Sequence, residues 1–354
     1  MNDPLVIVGY SRIDASTELV SATTTDTGTW VFRLPQDFSQ LVEQSLTKLN
    51  PVLQEHVHTA IVCSSANDSY ARDKNSTTSR LRPKEVLALL GINIAAGVSK
   101  YFPNVQNIFH TEAACASGIV ALDLADMIAR KHNAVVLLAG LDKSTAPIFL
   151  NLFRFIGAVA QHPGLYHAPF DQQRNGFAMG EGAALLAVTT ASQARARKLD
   201  VIATVDAVKT QTIFTHPTAP SDPALLEQFI RSVINESQRE LKDFACWDAH
   251  ATATPQGDEL EYQIFANIFD KTDTAISSFK SRVGHCMSAS ALIEMVNAIE
   301  HLQKNKISPN HNLHQPIVND TRLITAETST QNKTFIKTSF GFGGRNGAAV
   351  ITVH

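Results

Sequence analysis

The sequence predicts an α/β fold, and two patterns carry that prediction. Short apolar runs recur along the chain, and stretches with apolar residues at helical spacing lie between them. The apolar runs indicate buried strands, because helices are usually longer than such runs. Strands that alternate with helices are typical of an α/β protein whose sheets are largely covered on both faces.

The predicted elements follow one another along the whole chain. The strands are residues 5–9, 59–65, 134–140, 183–189, 201–208, 244–250, 274–279 and 348–354. The stretches with a helical apolar face are residues 115–131, 223–240 and 288–303. Residues 73–85 are polar and irregular and predict a surface loop. Residues 161–176 are rich in turn-forming side chains and predict an ordered connection.

Length and composition indicate a globular protein. The chain has 354 residues, 44% of them hydrophobic and 18% charged, which suffices for two ordinary domains or one large α/β body. The formal net charge of −3 gives no reason to expect nucleic-acid or membrane-surface binding.

We also expect a cytoplasmic protein with reduced thiols. The first residues do not resemble a signal peptide, and no apolar stretch approaches the roughly 20 residues of a membrane helix. The four cysteines match neither a zinc pattern nor a disulfide-dense scaffold.

Cys115 stands in the stretch EAACASG, at the start of the first predicted helix. Its small neighbours let the backbone turn sharply into that helix, whose N-terminal N–H groups and dipole favour a thiolate. The same N–H groups could hold the oxyanion of a thioester under attack. The alternative is an inert core cysteine, since a free cysteine is among the residues most often buried.

A histidine, two threonines and two carboxylates follow a predicted strand in the stretch DAHATATPQGDELE. Alternation places the hydroxyls of Thr252 and Thr254 on one side of an extended segment, where they could bind an elongated polar ligand. Asp258 and Glu261 are three residues apart and could share the first turn of a helix, where carboxylates are favoured. The alternative is a strand–loop–helix junction in which His250 caps the helix.

A lysine, a histidine and a glutamate occur together in SSFKSRVGHCMSASALIEMV. Gly284 permits a close backbone approach just before His285, which stands at a predicted helix start. Glu294 lies among apolar neighbours and therefore needs a partner, for which Lys280 is one candidate. The alternative is a surface lysine and a helix-capping histidine, and we interpret Cys286 as a packing residue.

Four glycines lie in the stretch TSFGFGGRNGAAVITV. Gly343 and its neighbouring glycines permit a tight backbone, and Phe340 and Phe342 flank Gly341. Such a loop could bring backbone N–H groups and an aromatic gate to a reactive centre. The alternative is a glycine-rich turn before the final strand, and the lysine of a phosphate-binding P-loop is missing here.

The order of these motifs resembles the β-ketoacyl-acyl-carrier-protein synthases of the elongating, His–His type, which belong to the thiolase-like condensing enzymes. The cysteine, HATATPQGD, the lysine before glycine–histidine and SFGFGGRN follow in that family's order, and APFDQQRNGFAMGEGAALL resembles the segment after its cysteine. The resemblance extends from about Thr111 to the end of the chain. It implies a five-layered α-β-α-β-α fold of two similar halves, residues 1–200 with the cysteine and 201–354 with the histidines.

The resemblance also implies a reaction. Cys115 would accept an acyl group from a carrier-protein thioester. His250 and His285 would stabilise the enolate formed when a malonyl thioester loses CO2, and the carbanion would attack the acyl-cysteine. The product would be a β-ketoacyl group of fatty acid or polyketide biosynthesis. No metal or bound cofactor is implied, because the substrates are carried on the phosphopantetheine arm of acyl carrier protein.

Supporting roles follow in the same way. Lys280 would belong to the catalytic set with Cys115, His250 and His285. Glu294, Asp258 and Glu261 would support the network around the histidines. Substrate-binding groups would be the hydroxyls of Thr252 and Thr254 on the pantetheine arm, the gate Phe342, and backbone N–H groups of the loop at Gly343. The implied partners are an acyl carrier protein and a second ketosynthase subunit, identical or homologous.

Several departures from the family pattern support an alternative function. The chain is short before Cys115, and five residues differ from the family near the site: Asn175, Ala251, Ser288, Ala291 and Arg345. An alanine at a glycine position strains the backbone where φ is positive, and Arg345 could fill part of the site. The chain could then be a chain-length-factor-like, weakly active or inactive subunit of a heterodimeric type II ketosynthase.

Two further alternatives explain fewer of the motifs. A cysteine hydrolase would not need the lysine, the second histidine or the threonine pair. A nonenzymatic scaffold would leave the four motifs to coincidence.

Overall fold

The computed structural model describes residues 3–14, 23–24, 30–32, 34, 38–49, 51–63, 92–145, 147–160, 167–218 and 220–354. The predicted surface loop 73–85 lies outside these residues. So does the first part of the predicted connection, 161–166.

The first half of the chain forms eight strands and six helices within the described residues. The strands are β1 (Leu5–Asp14), β2 (Thr23–Thr24), β3 (Trp30–Phe32), β4 (Val57–Cys63), β5 (Asn107–Thr111), β6 (Val135–Asp142), β7 (Met179–Gly180) and β8 (Gly182–Thr190). The helices are α1 (Phe38–Lys48), α2 (Pro51–Gln54), α3 (Ile92–Tyr101), α4 (Ser117–His132), α5 (Pro147–Phe155) and α6 (Ala191–Ala196).

The second half repeats the alternation. Its strands are β9 (Ala203–Thr212), β10 (Phe244–Asp248), β11 (Ala275–Ser277), β12 (Lys306–Ile307), β13 (Thr328–Ser329), β14 (Thr334–Gly341) and β15 (Arg345–Val353). Its α-helices are α7 (Pro223–Ser237), α8 (Pro255–Ile268), α9 (Lys280–Val283) and α10 (Ser290–Gln303). Single 3-10 turns lie at Leu241–Asp243 and Met287–Ala289.

The same strand order occurs twice. In the first half the hydrogen-bonded order is β5-β4-β6-β8-β1, and in the second half it is β11-β10-β14-β15-β9. Each series begins with two parallel pairs and ends with two antiparallel pairs. Antiparallel pairing of β1 with β9 joins both series into one ten-stranded sheet. The division at residues 200/201 stays a prediction, which this repeat supports.

Helices cover both faces of each strand series. Along β6, Val136 and Leu138 face a central core that includes α4 and α10, whereas Val135 and Leu137 face a core shared with α1. In the second half a third core lies between the sheet and helices α7 and α8. Alternate residues of one strand point to opposite faces, so near-continuous apolar runs are needed here. The predicted five-layered α-β-α-β-α fold is confirmed.

Each of the eight predicted strands overlaps a strand of the ten-stranded sheet, whose other two strands, β5 and β14, were missed, as were the short strands of the two smaller sheets. Strand β5 lies at the sheet edge with exposed side chains, so it has no apolar run. In β14 the buried Lys337 interrupts the apolar pattern, and the glycine motif was interpreted as a loop rather than as a hairpin of β14 and β15.

The predicted helices were correct in place and too long at one end. Helix α7 starts with Asp222 accepting from the Leu225 N–H (3.0 Å) and ends where Gln238 takes a left-handed conformation. The predicted helix 223–240 is therefore too long at its C-terminal end, because the observed helix ends at Ser237. Within the described residues, no helix combines the length and apolar character needed to span a membrane.

Replacing Leu292 by alanine tests the packing of the central layer. Leu292 is fully buried, and a methyl group added to Gly140 would lie 3.0 Å from its Cδ1 atom. We expect the free energy of unfolding to fall by about 2–5 kcal/mol in urea titrations. Leu225 on α7 is 50% exposed, and we expect its change to alanine to cost no more than about 0.5 kcal/mol. Equal losses for both variants would contradict the assignment of α10 to the core.

Candidate active site

Cys115, His250 and His285 meet at one cavity, although they are far apart in the sequence. Cys115 lies just before α4, His250 just after β10, and His285 between α9 and the following 3-10 turn. One nitrogen of each imidazole and the Cys115 sulfur all lie within 4.8 Å of one another. The cavity has a volume of about 450 Å³ and is lined by all three residues. The two halves of the fold therefore contribute one site.

The thiol of Cys115 and the ring of His285 are in direct contact. Cys115 Sγ lies 3.0 Å from His285 Nε2, and His285 Nδ1 lies 2.8 Å from Ser290 Oγ at the start of α10. Burial raises the pKa of Cys115 to about 12, so the thiol keeps its proton. Burial, assisted by the charge of Lys280, lowers the pKa of His285 well below its usual value. The neutral ring therefore accepts the thiol proton at Nε2 and donates from Nδ1 to Ser290.

Glu261 fixes the backbone that carries His250. Its two carboxylate oxygens accept the N–H groups of His250 and Ala251, each at 2.8 Å. Thr338 Oγ1 on β14 donates to Glu261 Oε1 (2.7 Å), and Trp247 Nε1 donates to Thr338 Oγ1 (2.7 Å). A buried carboxylate with this many donors is held in one orientation.

The His250 ring is held by rings on two sides. It packs perpendicular to His285, with centroids 5.7 Å apart, and against Phe340 at the same separation. Burial lowers the pKa of His250 well below its usual value, with Lys280 adding to the effect. Both histidines are therefore neutral and can each donate or accept one hydrogen bond in the cavity.

Behind the histidines lies a cluster of buried charges. Lys280 Nζ lies 2.8 and 2.9 Å from the two carboxylate oxygens of Glu294, so the candidate partner suggested by the sequence is in contact. Lys337 Nζ contacts the same carboxylate and lies 3.4 Å from Asp248 Oδ1. All four side chains are almost completely buried. Lys280, predicted as catalytic, does not line the cavity but acts from behind it.

The predicted substrate-binding residues lie mostly at the cavity. Thr252 and Thr254 line it, and their hydroxyls lie 3.2 Å apart on one side of the segment, as the alternation predicts. Phe342 lines its mouth and is 36% exposed. Gly343 is not part of the cavity lining, and its N–H donates to the Pro217 carbonyl (2.9 Å), so its role in substrate binding stays a prediction that this geometry does not support.

Asp258 and Gly341 act on the backbone around the site. Asp258 lies in the first turn of α8, as predicted, and accepts the N–H of Phe170 (2.8 Å) outside the cavity. A side chain on Gly341 would lie 2.7 Å from the Ala113 carbonyl and 3.3 Å from the Cys115 nitrogen. Glycine is therefore needed where β14 passes Cys115.

Two of the departures from the family pattern, Ala251 and Arg345, can be located in the structure. Ala251 has a φ of +26° and its neighbour Ala253 a φ of +59°, values that an alanine adopts only with strain. Arg345, which could have filled part of the site, donates instead from its guanidinium to the Glu112 carbonyl (3.0 Å) and does not line the cavity.

Four further residues of the site were missed at the level of sequence: Ser290, Lys337, Asp248 and His167. His167 is fully buried, and its Nδ1 accepts from the Ala178 N–H (3.1 Å), while burial lowers its pKa to about 3. Lys337 could have been noticed as a charged residue in an otherwise apolar stretch. Asp248 has a partner that is distant in sequence, and no motif identifies the contacts of Ser290 or His167.

The same three reactive residues form a donor set that a metal ion could use. A cysteine sulfur and two imidazole nitrogens are ordinary zinc ligands. The expectation that no metal takes part stays a prediction.

Two family models match most of the chain. The β-ketoacyl synthase N-terminal domain matches residues 42–194, and the β-ketoacyl synthase C-terminal domain matches residues 194–314.

Curated relatives agree with these matches. A putative polyketide β-ketoacyl synthase 1 of Streptomyces virginiae is 30% identical over 245 residues, which are 67% of this chain and 58% of the relative. A 3-oxoacyl-[acyl-carrier-protein] synthase 2 of Coxiella burnetii is 28% identical over 285 residues, 74% of this chain and 66% of the relative. The chain thus spans less than two thirds of the length of these relatives.

Solved structures share the fold. One is a ketosynthase bound to a hexaketide in complex with a type II polyketide synthase acyl carrier protein, with a TM-score of 0.85 and 17% identity. A β-ketoacyl synthase from Burkholderia phymatum has a TM-score of 0.84 and 20% identity. The ishigamide ketosynthase/chain length factor has a TM-score of 0.84 and 16% identity. In each case both chains are covered completely.

The pH dependence of thiol alkylation tests the protonation state of Cys115. With a pKa of about 12, the thiolate fraction rises about tenfold per pH unit, so the rate with iodoacetamide should rise about 100-fold from pH 7 to pH 9. Mass spectrometry of the modified peptide measures this rate, and Cys115→Ala gives the background from the other cysteines. A rate that stays constant above pH 7 would instead indicate a resting thiolate–imidazolium pair.

Proposed function

The chain belongs to the β-ketoacyl synthase family, and we propose that it is a condensing enzyme. It would join a malonyl group on an acyl carrier protein to an acyl group held on Cys115. The observation that carries this proposal is the contact of Cys115 Sγ with His285 Nε2 at 3.0 Å, beside a second neutral histidine.

The first step would load the enzyme. Cys115 gives its proton to His285 Nε2 as its sulfur attacks the thioester carbonyl of the acyl carrier. The N–H groups at the start of α4 and in the hairpin near Phe342 stabilise the oxyanion. The tetrahedral intermediate then expels the carrier thiolate, which takes the proton back from His285. Since both thioesters are similar in energy, this exchange is nearly balanced.

The second step would form the nucleophilic carbon. The malonyl thioester loses CO2, and the negative charge moves to the thioester oxygen as an enolate. Acylated Cys115 no longer offers a proton to His285, and the Ser290 hydroxyl can donate to Nδ1 as well as accept from it. His285 can therefore present Nε2–H, as His250 can, to the enolate oxygen. Donors aimed from a buried site are worth more than the same donors in water.

The third step would form the carbon–carbon bond. The enolate carbon attacks the acyl carbonyl on Cys115, and the bond from that carbonyl to sulfur breaks. The β-ketoacyl product, two carbons longer, leaves on the carrier, and the Cys115 thiolate regains a proton from solvent.

The cavity supports substrates on a phosphopantetheine arm. The two threonine hydroxyls, at Thr252 and Thr254, line the path to Cys115, and Phe342 stands at the mouth. Their arrangement suits an elongated polar arm delivered by an acyl carrier protein. We propose no other cofactor.

A second ketosynthase subunit would cover the edge of the sheet. In the described sheet, β5 pairs only with β4. Phe109 on β5 is 49% exposed, and Met127 on α4 is 64% exposed. An exposed strand edge with apolar neighbours is a natural site for pairing with another chain. This supports a homodimer or a heterodimer with a homologous subunit.

A second candidate function is that of a chain-length-factor-like subunit with weak or no activity. The left-handed Ala251 and Ala253 beside His250 favour it, because strain at this point is easier to tolerate where no chemistry occurs. The assembled contact between Cys115 and His285 opposes it.

Acyl transfer to the chain tests the proposal directly. After incubation with acyl-loaded carrier protein, we expect the intact mass to increase by one acyl group in the wild type and in Cys246→Ala, a buried cysteine outside the cavity. Cys115→Ala should show no increase. A folded wild-type protein without an adduct, alone and with a homologous ketosynthase, would contradict the proposal and favour the second candidate.

Decarboxylation separates the roles of the histidines. His250→Ala should still acquire the acyl group, because His285 contacts the thiol. Its release of CO2 from malonyl-loaded carrier protein should fall by about 100-fold or more, as expected for loss of a donor to a developing oxyanion. Unchanged CO2 release from His250→Ala would show that the enolate is stabilised elsewhere.

A further inference from the structure

Lys337 is a buried lysine whose role no motif of the chain accounts for. It lies in the middle of β14, and its side chain is completely buried. Its ammonium group contacts the Glu294 carboxylate, lies 3.4 Å from Asp248 Oδ1, and donates to the carbonyl oxygens of Asp248 (3.3 Å) and Ala249 (3.2 Å). Such a group is costly to bury, so each of these contacts matters for its placement.

These contacts converge on the peptide unit that precedes His250. The carbonyl of that unit belongs to Ala249 and is bound by Lys337, while its N–H belongs to His250 and is bound by Glu261 (2.8 Å). Glu261 in turn accepts from Thr338, the residue after Lys337 on β14. Two adjacent residues of one strand therefore hold both ends of the same peptide unit.

Charge balance explains why a second lysine fits here. Glu294 already has Lys280 as a partner, so Lys337 is not needed to neutralise it. The remaining acid is Asp248, and although burial opposes the charged form, Asp248 and Glu294 together raise the pKa of Lys337. Burial raises the pKa of Asp248 to about 7, and the charge of Lys337 opposes that shift, so the two side chains form a second pair beside Lys280 with Glu294. Removing the second pair as a unit leaves the first one balanced.

We propose that Lys337 is a positioning residue for His250 in the decarboxylation step. This inference rests on the proposed function, in which His250 donates to the enolate oxygen. Lys337 does not reach the substrate; it acts by fixing the peptide unit from which the His250 ring extends. The acyl-transfer step uses His285, which is held by Ser290 and by the backbone of Ala178. Lys337 helps to lower the pKa of His285 through its charge but holds no part of the backbone that carries it.

The test removes the whole ion pair so that no charge is left unpaired. In Lys337→Met/Asp248→Asn, we expect CO2 release from malonyl-loaded carrier protein to fall about 10- to 100-fold, because a displacement near 1 Å has effects of this order. Acylation of Cys115, followed by intact mass, should stay within about threefold of the wild type. Lys306→Met/Glu327→Gln is the matched control, since it removes an exposed lysine–acid pair at the surface.

A second variant distinguishes hydrogen bonding from charge. Lys337→Gln/Asp248→Asn keeps an N–H donor for the carbonyls of residues 248 and 249 without any charge. We expect it to regain part of the lost decarboxylation rate. If Lys337 served only to balance the charge of Asp248, the Lys337→Met/Asp248→Asn variant would release CO2 at the wild-type rate. That result would overturn the proposal.

A measurement without substrate keeps this inference separate from the proposed function. The ring 15N resonances of His250, assigned with His250→Ala, should shift or broaden in Lys337→Met/Asp248→Asn and stay unchanged in the surface control. Wild-type protein that releases no CO2 would contradict the proposed function alone. Unchanged His250 resonances in the Met/Asn pair would contradict the positioning role, whatever the activity.

Discussion

The close packing of helix α4 against helix α10 is the contact on which the rest of the structure depends. A methyl group on Gly118 would lie 3.0 Å from the Ala291 Cβ atom, so these two helices approach with almost no side chain between them. Cys115 precedes α4, and Ser290, the partner of His285, begins α10. The distance between sulfur and imidazole is thus set by a helix–helix contact in the core, where packing is least adjustable.

Burial in this core also determines the charge state of the site. The histidines are neutral because a second positive charge beside Lys280 would be costly in a low-dielectric interior. Lys280 can stay in that interior because Glu294 lies against it. The walls of the cavity therefore offer uncharged hydrogen-bond donors, while the charged side chains of Lys280 and Glu294 lie behind the histidines and do not line the cavity. Such walls suit a reaction in which negative charge develops transiently on an oxyanion or an enolate oxygen.

The sequence predicted the α/β fold because buried strands leave short apolar runs that can be recognised without knowing their partners, and the five-layered arrangement followed from the family resemblance. It also predicted that Cys115, His250 and His285 act together, although only the resemblance to a family connected them. What it missed depends on side-chain contacts that no motif encodes. The Ser290 hydroxyl meets the ring of His285 only five residues earlier, but the pattern does not show which way either side chain points. The ammonium of Lys337 reaches the carbonyls before His250 across a long sequence separation. Strand β5 was missed because it lies at the edge of the sheet with exposed side chains, so its sequence shows no apolar run.

The contacts around Ala251 show how the structure accommodates a departure from the family pattern. Ala251 and Ala253 are strained by left-handed φ values, at a cost of order 1–3 kcal/mol each. That strain is opposed by hydrogen bonds along the same segment: Glu261 accepts the Ala251 N–H, Ser278 donates to the Ala251 carbonyl (3.3 Å), and the Gly176 N–H donates to the Ala253 carbonyl (2.8 Å). The backbone thus keeps the geometry that glycine would adopt freely. The alanine that replaces glycine at residue 251 is therefore a cost in stability, while His250 stays beside His285, as the proposed reaction needs.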